Sequence, residues 1–231
     1  MEKRADWRIY PSRQALADAL ADDVAHALTS SIEASGEAVL AVSGGSTPGL
    51  LFTALSKHRL DWANVVVTLV DERFVPPSSE RSNERLVRER LLVNEARGAR
   101  FVPLYSDVDS VEQAATQANA GLGLFGSLDV AILGMGSDGH TASFFPDAKN
   151  LGALLDPAAT SGVEAVHAPS AGEPRLTQTL PRLTGARFLA LHIEGEQKHA
   201  VLAEALEPTS SLPVSEVFRQ APRAVPVYWT A

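Results

Sequence analysis

Apolar positions in this chain recur at two periods that alternate from end to end. Over residues 12–35, Leu16, Leu20, Val24, Leu28 and Ile32 stand four apart, the stripe of a helix that buries one face. Ser12 precedes the stripe as a candidate N-cap, and Gly36 follows where a left-handed C′ residue closes a helix. AVLAV (38–42) comes next, a short run without a polar position, as in a strand covered on both faces. The pattern then repeats as a helix over 48–57, the strand VVVTLV (65–70), a helix over 82–95, the strand FVPL (101–104), a helix over 110–124 and the strand LDVAIL (128–133). EAVHA (164–168), RFLALHI (187–193), a helix over 196–206 and VPVYW (225–229) complete it.

Strands separated by helices predict a parallel sheet with helices on both faces. The expected fold class is α/β, a single domain over 1–231 in three layers, α/β/α, around a mainly parallel, Rossmann-like sheet. No segment resembles a linker, a repeat or a low-complexity tract. The stretches 76–82 and 144–162 read as long loops rich in Pro, Ser and Gly. In open α/β sheets, loops at the carboxyl ends of strands build the ligand site.

Composition narrows the function classes. Twenty Lys and Arg against 28 Asp and Glu give a formal net charge of −8, which argues against a nucleic-acid partner. An anionic ligand must therefore meet a local cluster of cations. The 231 residues include no cysteine, which excludes disulfides, thiolate zinc sites and cysteine nucleophiles. The opening MEKRADWRIYPSR lacks the apolar core of a signal peptide, and no run of 18 apolar residues occurs. The expectation is a soluble, cytoplasmic protein without a membrane partner.

Four segments carry candidate chemistry. SGGSTPG (43–49) lies between a buried-type strand and a helix, with Gly44 and Gly45 letting backbone approach a ligand. Thr47 as N-cap and Pro48 at the first helical position would leave free N–H groups and the positive dipole end facing an anion, beside the hydroxyls of Ser46 and Thr47. An ordinary capped turn would use the same residues. It is not a Walker A loop, because no Gly-Lys-Ser/Thr follows. DER (71–73) directly follows VVVTLV and sets Asp71, Glu72 and Arg73 at a strand's carboxyl end; a solvated turn is the plain alternative. Beyond it, Ser82 is a candidate cap, with Asn83 in the first turn of the helix.

The third segment, GMGSDGH (134–140), satisfies G-x-G-x-x-G after a strand. A dinucleotide turn, however, leads into a long helix and an acid at the end of the next strand. Here Pro146 stops any helix almost at once, and the acid at about the right distance, Asp156, lies in LLDPAA and not at a strand end. Dinucleotide binding is disfavoured and no cofactor is expected. The glycines instead carry Asp138 and His140 out of the sheet. A histidine beside a carboxylate there is a credible general base. Of the other five, His26 and His58 fall in surface-type helices, His167 and His192 in strands, and His199 in a helix. No pair has HExxH spacing, so no metal is expected. The fourth set is Arg175 in GEPRLTQT and Lys198 in IEGEQK; a first-turn lysine opposes the helix dipole, which suits one recruited to hold an anion.

Taken together, SGGSTP (43–48), DERFVPP with the later SN (71–77, 82–83), GMGSDGHTASFFP (134–146), PRLTQT (174–179) and GEQK (195–198) resemble the 6-phosphogluconolactonase family. That family belongs to the sugar-phosphate isomerase-like α/β superfamily, shared with glucosamine-6-phosphate deaminase. The resemblance implies hydrolysis of a small-molecule partner, 6-phospho-D-glucono-1,5-lactone, by a monomer or small homo-oligomer with no cofactor. It implies that Gly44, Gly45, Ser46, Thr47, Arg175 and Lys198 hold the phosphate and that Asp71 and Asn83 contribute to substrate binding. His140 would be the base, Asp138 its orienting partner and Arg73 the oxyanion stabiliser, with Asp71 or Glu72 as reserve bases. A mobile Ser82–Asn83 loop would reach the sugar hydroxyls. The deaminases carry a glutamate where this chain has Phe145, which favours the lactonase branch. A sensing domain that keeps the clamp without catalysis is disfavoured by His140, Asp138 and Arg73 together. The family's closing aspartate is absent from VYWTA at the end of this chain.

Overall fold

The computed structural model describes residues 4–231. Seven strands form one wholly parallel sheet: β1 (Ala5–Ile9), β2 (Ala38–Val42), β3 (Val65–Leu69), β5 (Arg100–Phe101), β6 (Val130–Leu133), β9 (Phe188–Glu194) and β10 (Val225–Thr230), in the order β1-β10-β9-β6-β2-β3-β5. Three short strands, β4 (Asp71–Arg73), β7 (Val163–Val166) and β8 (Arg175–Gln178), pair antiparallel in a second sheet, ordered β4-β8-β7.

The helices are α1 (Arg13–Ser35), α2 (Gly49–Leu55), α3 (Asn83–Arg90), α4 (Val111–Leu122), α5 (Leu151–Leu155), α6 (Leu180–Thr184), α7 (Glu196–Ala205) and α8 (Val214–Gln220). Alternation along β2 divides the core between them. Leu40 and Val42 pack with apolar residues of α1, α2, α3 and α4, whereas Val39 and Ala41 pack with those of α5, α6, α7 and α8. Both sheet faces are covered, which is why the central strands read as continuous apolar runs.

α1 forms as its stripe predicts. Ser12 accepts a hydrogen bond from Ala15 N, and Gly36, at φ 82°, donates its N–H to Ile32 O. Several boundaries differ from expectation. The strand at 65–70 ends at Leu69, because Val70 spends its carbonyl on Gln178 N of the small sheet. The expected helix 82–95 stops at Arg90, and a 3₁₀ turn follows over Asn94–Gly98. FVPL contributes only Phe101 to the sheet, since Pro103 has no N–H to offer. EAVHA joins the small antiparallel sheet, not the parallel one. β1, β4, β8, α5, α6 and α8 were not foreseen. Thr47 is not a cap: α2 begins at Gly49 with Pro48 in the cap position and no side-chain cap bond.

Chain order fixes where a ligand fits. From β2 the chain proceeds outward through β3 to β5, then returns to the opposite side of β2 as β6 and continues through β9. The crevice at the carboxyl ends of β2 and β6 is thus the topological switch point of the sheet.

Candidate active site

A cleft of about 380 Å³ opens at this switch point. Gly44, Gly45, Ser46, Thr47, Asp71, Arg73, Asn83, His140, Arg175 and Lys198 line it, whereas Asp138 does not. The loop after β2 and the loop after β6 are stitched together, since Ser43 N donates to Ile132 O and Gly134 N donates to Ser43 Oγ, both at 3.1 Å.

Behind the first loop, α2 starts with no side chain on its leading amides, so these N–H groups remain available to an anion. Asn83 stands against Gly44 so closely that a Cβ there would lie 1.9 Å from Asn83 Oδ1. Asn83 Nδ2 also donates to Asp71 O at 2.9 Å. Glu72 organises this corner. Its fully buried carboxylate accepts from the backbone N–H groups of Arg73, Asn83 and Glu84, at 2.7–2.8 Å, and from Ser82 Oγ at 3.1 Å. Burial pushes the Glu72 carboxyl up despite these four donors. All its acceptor capacity faces protein, so it is unavailable as a reserve base. The Ser82–Asn83 segment is correspondingly buried and tied down, not the loose loop expected. Ser82 does cap α3, accepting from Arg85 N.

Three cations gather around the cleft. Arg73 and Arg175 are direct partners across the β4–β8 pair, an arrangement of like charges that disfavours a sheet unless an anion offsets it. Arg73 donates through Nη1 to Arg81 O at 2.6 Å, and Arg175 through Nη2 to Ala171 O at 2.7 Å. Nε of each is buried without a partner. Burial lowers the pKa of Arg175, opposed by Asp71 and reinforced by Arg73; an arginine stays charged regardless. Asp71 accepts from Ser143 Oγ at 2.6 Å. Lys198, in the first turn of α7, sets Nζ 3.5 Å from Thr47 Oγ1. Burial pulls its ammonium below the ordinary lysine value, with Glu194 opposing.

At the other end, His140 is presented by a closed turn: Gly136 N donates to His140 O at 2.9 Å and Gly139 N to Gly136 O at 3.1 Å. His140 Nδ1 lies 2.5 Å from Asp138 Oδ1, which also accepts from His140 N at 3.2 Å. That carboxylate favours the Nδ1–H tautomer and leaves Nε2 as an acceptor. Phe145 packs on the imidazole with ring centroids 4.5 Å apart. A Cβ on Gly136 would sit 2.3 Å from the same ring, so only glycine permits this pairing.

His192 also lines the cleft, with only 2% of its surface exposed. The sequence places it as one histidine among strand residues. Its signal was a lone polar ring in RFLALHI, six residues before Lys198. Nearby, burial pushes the Glu194 carboxyl up, but His192 and Arg13 outweigh it and hold the group low.

The family model described as glucosamine-6-phosphate isomerases/6-phosphogluconolactonase matches residues 11–229. The chain is 54% identical over 225 residues to a 6-phosphogluconolactonase of Mesorhizobium japonicum, covering 97% of this chain and 94% of that one. It is 50% identical over 228 residues to one of Rhizobium meliloti, covering 97% and 98%. The crystal structure of a 6-phosphogluconolactonase from Shewanella baltica OS155 superposes with a TM-score of 0.94 at 38% identity, covering 100% of both chains.

Proposed function

The chain belongs to the glucosamine-6-phosphate isomerase/6-phosphogluconolactonase family, and from that premise we propose that it hydrolyses 6-phospho-D-glucono-1,5-lactone to 6-phosphogluconate, the second step of the oxidative pentose phosphate pathway. One observation carries the reading. In a chain of net charge −8, Lys198, Arg73 and Arg175 meet the glycine-rich 43–48 loop, which leads into the uncapped start of α2, in the same cleft as a histidine whose Nδ1 is held by Asp138. The substrate has the same two ends, a phosphate and an ester carbonyl.

Gly44, Gly45, Ser46, Thr47 and Lys198 bind the phosphate, with Arg175 completing the positive field, while Asp71 and Asn83 shape the sugar subsite. His140 Nε2 takes a proton from water as the water oxygen attacks the lactone carbonyl. Asp138, on Nδ1–H, stabilises the imidazolium that forms. Arg73 offsets the charge on the carbonyl oxygen. When the ester bond breaks, the ring oxygen recovers the proton from Nε2 and leaves as the hydroxyl of the open chain. Phe145 supports this reading over deamination, since no carboxylate stands there to relay a proton for sugar-ring opening.

A coupled assay on freshly generated lactone, run in EDTA, tests the assignment. Acceleration over spontaneous hydrolysis is expected without added metal or nucleotide. An unaccelerated rate would sink it, and ammonia release from glucosamine 6-phosphate would move the chain to the deaminase branch.

A further inference from the structure

Glu194, His192 and Lys198 form a titratable cluster at the carboxyl end of β9 that the proposed reaction uses only through its lysine. His192 Nε2 lies 3.3 Å from Glu194 Oε1, yet neither atom is aligned for a hydrogen bond. Glu194 is itself held by Arg13 of α1, Nε to Oε2 at 2.6 Å. Among the described residues, Nδ1 of His192 makes no hydrogen bond, Nε2 is buried without one, and the residue lines the cleft. The ring therefore has a carboxylate near Nε2 and belongs to the wall of the cleft.

The groups facing it are few. Glu194 lies on its own strand, and Lys198 reaches from α7 to Thr47. On β10 its register partner is Tyr228, whose hydroxyl is committed to Asp23. The 43–48 loop and α2 contribute no ionisable side chain. A neutral ring with its hydrogen toward Glu194 would present only a lone pair to an incoming anion. An imidazolium satisfies both sides.

We propose that His192 is a ligand-contacting residue of the phosphate end, binding a phosphoryl oxygen through Nδ1 as an imidazolium whose other nitrogen faces Glu194. The proposal rests on the lactonase reading and adds a proton to it: binding of a phosphate dianion draws one proton onto His192. It also accounts for a buried histidine at a position where the neighbouring strand residues are apolar. The contact distinguishes phosphorylated ligands from their unphosphorylated counterparts.

Two measurements test it together. The first follows the ring ¹⁵N signals of His192 in the unmutated protein at about pH 8, where a free histidine is neutral, while 6-phosphogluconate is titrated in. Conversion from the neutral to the doubly protonated pattern is expected, with no change on adding gluconate. The second compares His192→Phe with His192→Asn, which keeps a neutral donor near Nδ1. His192→Phe is expected to raise KM for the phosphorylated lactone about 10–100-fold, the factor lost with a charge-assisted hydrogen bond. Its kcat and its action on unphosphorylated gluconolactone should hold, and His192→Asn should recover part of the loss. A ring that stays neutral in the complex would overturn the proposal, as would equal losses on both lactones. If the unmutated protein neither hydrolyses the lactone nor binds 6-phosphogluconate, the functional reading falls with it. If it does both and the ring remains neutral, only the role of His192 falls.

Discussion

At the level of single residues, the proposed reaction divides the cleft into side chains that hold the ligand and those that act on it. Lys198 belongs to the first group. Replacing Lys198 or Arg175 with alanine removes a charge-assisted contact typically worth about 1.5–3 kcal/mol. The loss should fall on KM for the phosphorylated lactone and leave unphosphorylated gluconolactone unaffected; equal losses on the two would contradict the clamp. Burial also gives Lys198 a pH signature. Its ammonium is held below the ordinary lysine value, so it loses its charge at a lower alkaline pH than a solvated lysine. Affinity for 6-phosphogluconate should therefore weaken on the alkaline side earlier than a solvated lysine would allow, and Lys198→Arg, which cannot deprotonate there, should flatten that decline. Binding isotherms across the alkaline range read this directly.

At the scale of elements, the corner between β4 and α3 shows how a triplet that looks catalytic divides into separate duties. Asp71 and Arg73 face the cleft, while Glu72 is turned away and fully buried among three backbone N–H groups and a hydroxyl. Glu72→Ala leaves those amides without partners, at about 1–3 kcal/mol for each buried group. A fall in thermal midpoint of several degrees is expected, with activity at low temperature reduced mainly through the displaced Asn83. A variant of normal stability that had lost only kcat would instead make Glu72 a chemical group. The same corner marks the limit of what the sequence discloses. α1, β2, β3, β6, β9 and β10 were legible, because each buries an apolar stripe or an unbroken apolar run. β4 and β8 were not, and β7 was legible as a strand but not as a member of the antiparallel sheet, because three- and four-residue strands are placed by distant partners and carry no period of their own. β1 escaped as an edge strand, its ADWRI alternating with charges. α8 had a readable signal, Val214, Val217 and Phe218 behind Pro213, that a reading centred on longer periods overlooks.

At the scale of the whole molecule, strand order brings the separate motifs into one crevice. Loops after β2 and β6 meet because those strands are neighbours across the switch point, and the small antiparallel sheet sets Arg73 beside Arg175. The residue types and their strand-end positions were visible in the sequence; the convergence on Thr47 of a lysine 151 positions away was not, since it depends on the order in which strands assemble. On the proposed reaction, one end of this crevice binds and the other performs the chemistry. The direct test is kcat for 6-phosphogluconolactone measured on His140→Ala beside the unmutated protein, with 6-phosphogluconate affinity and the thermal melt recorded on the same samples. A general base contributes roughly 10²–10⁴-fold to rate, so kcat should fall by that factor while affinity and melting hold. A folded His140→Ala protein with near-normal kcat would rule out His140 as the base.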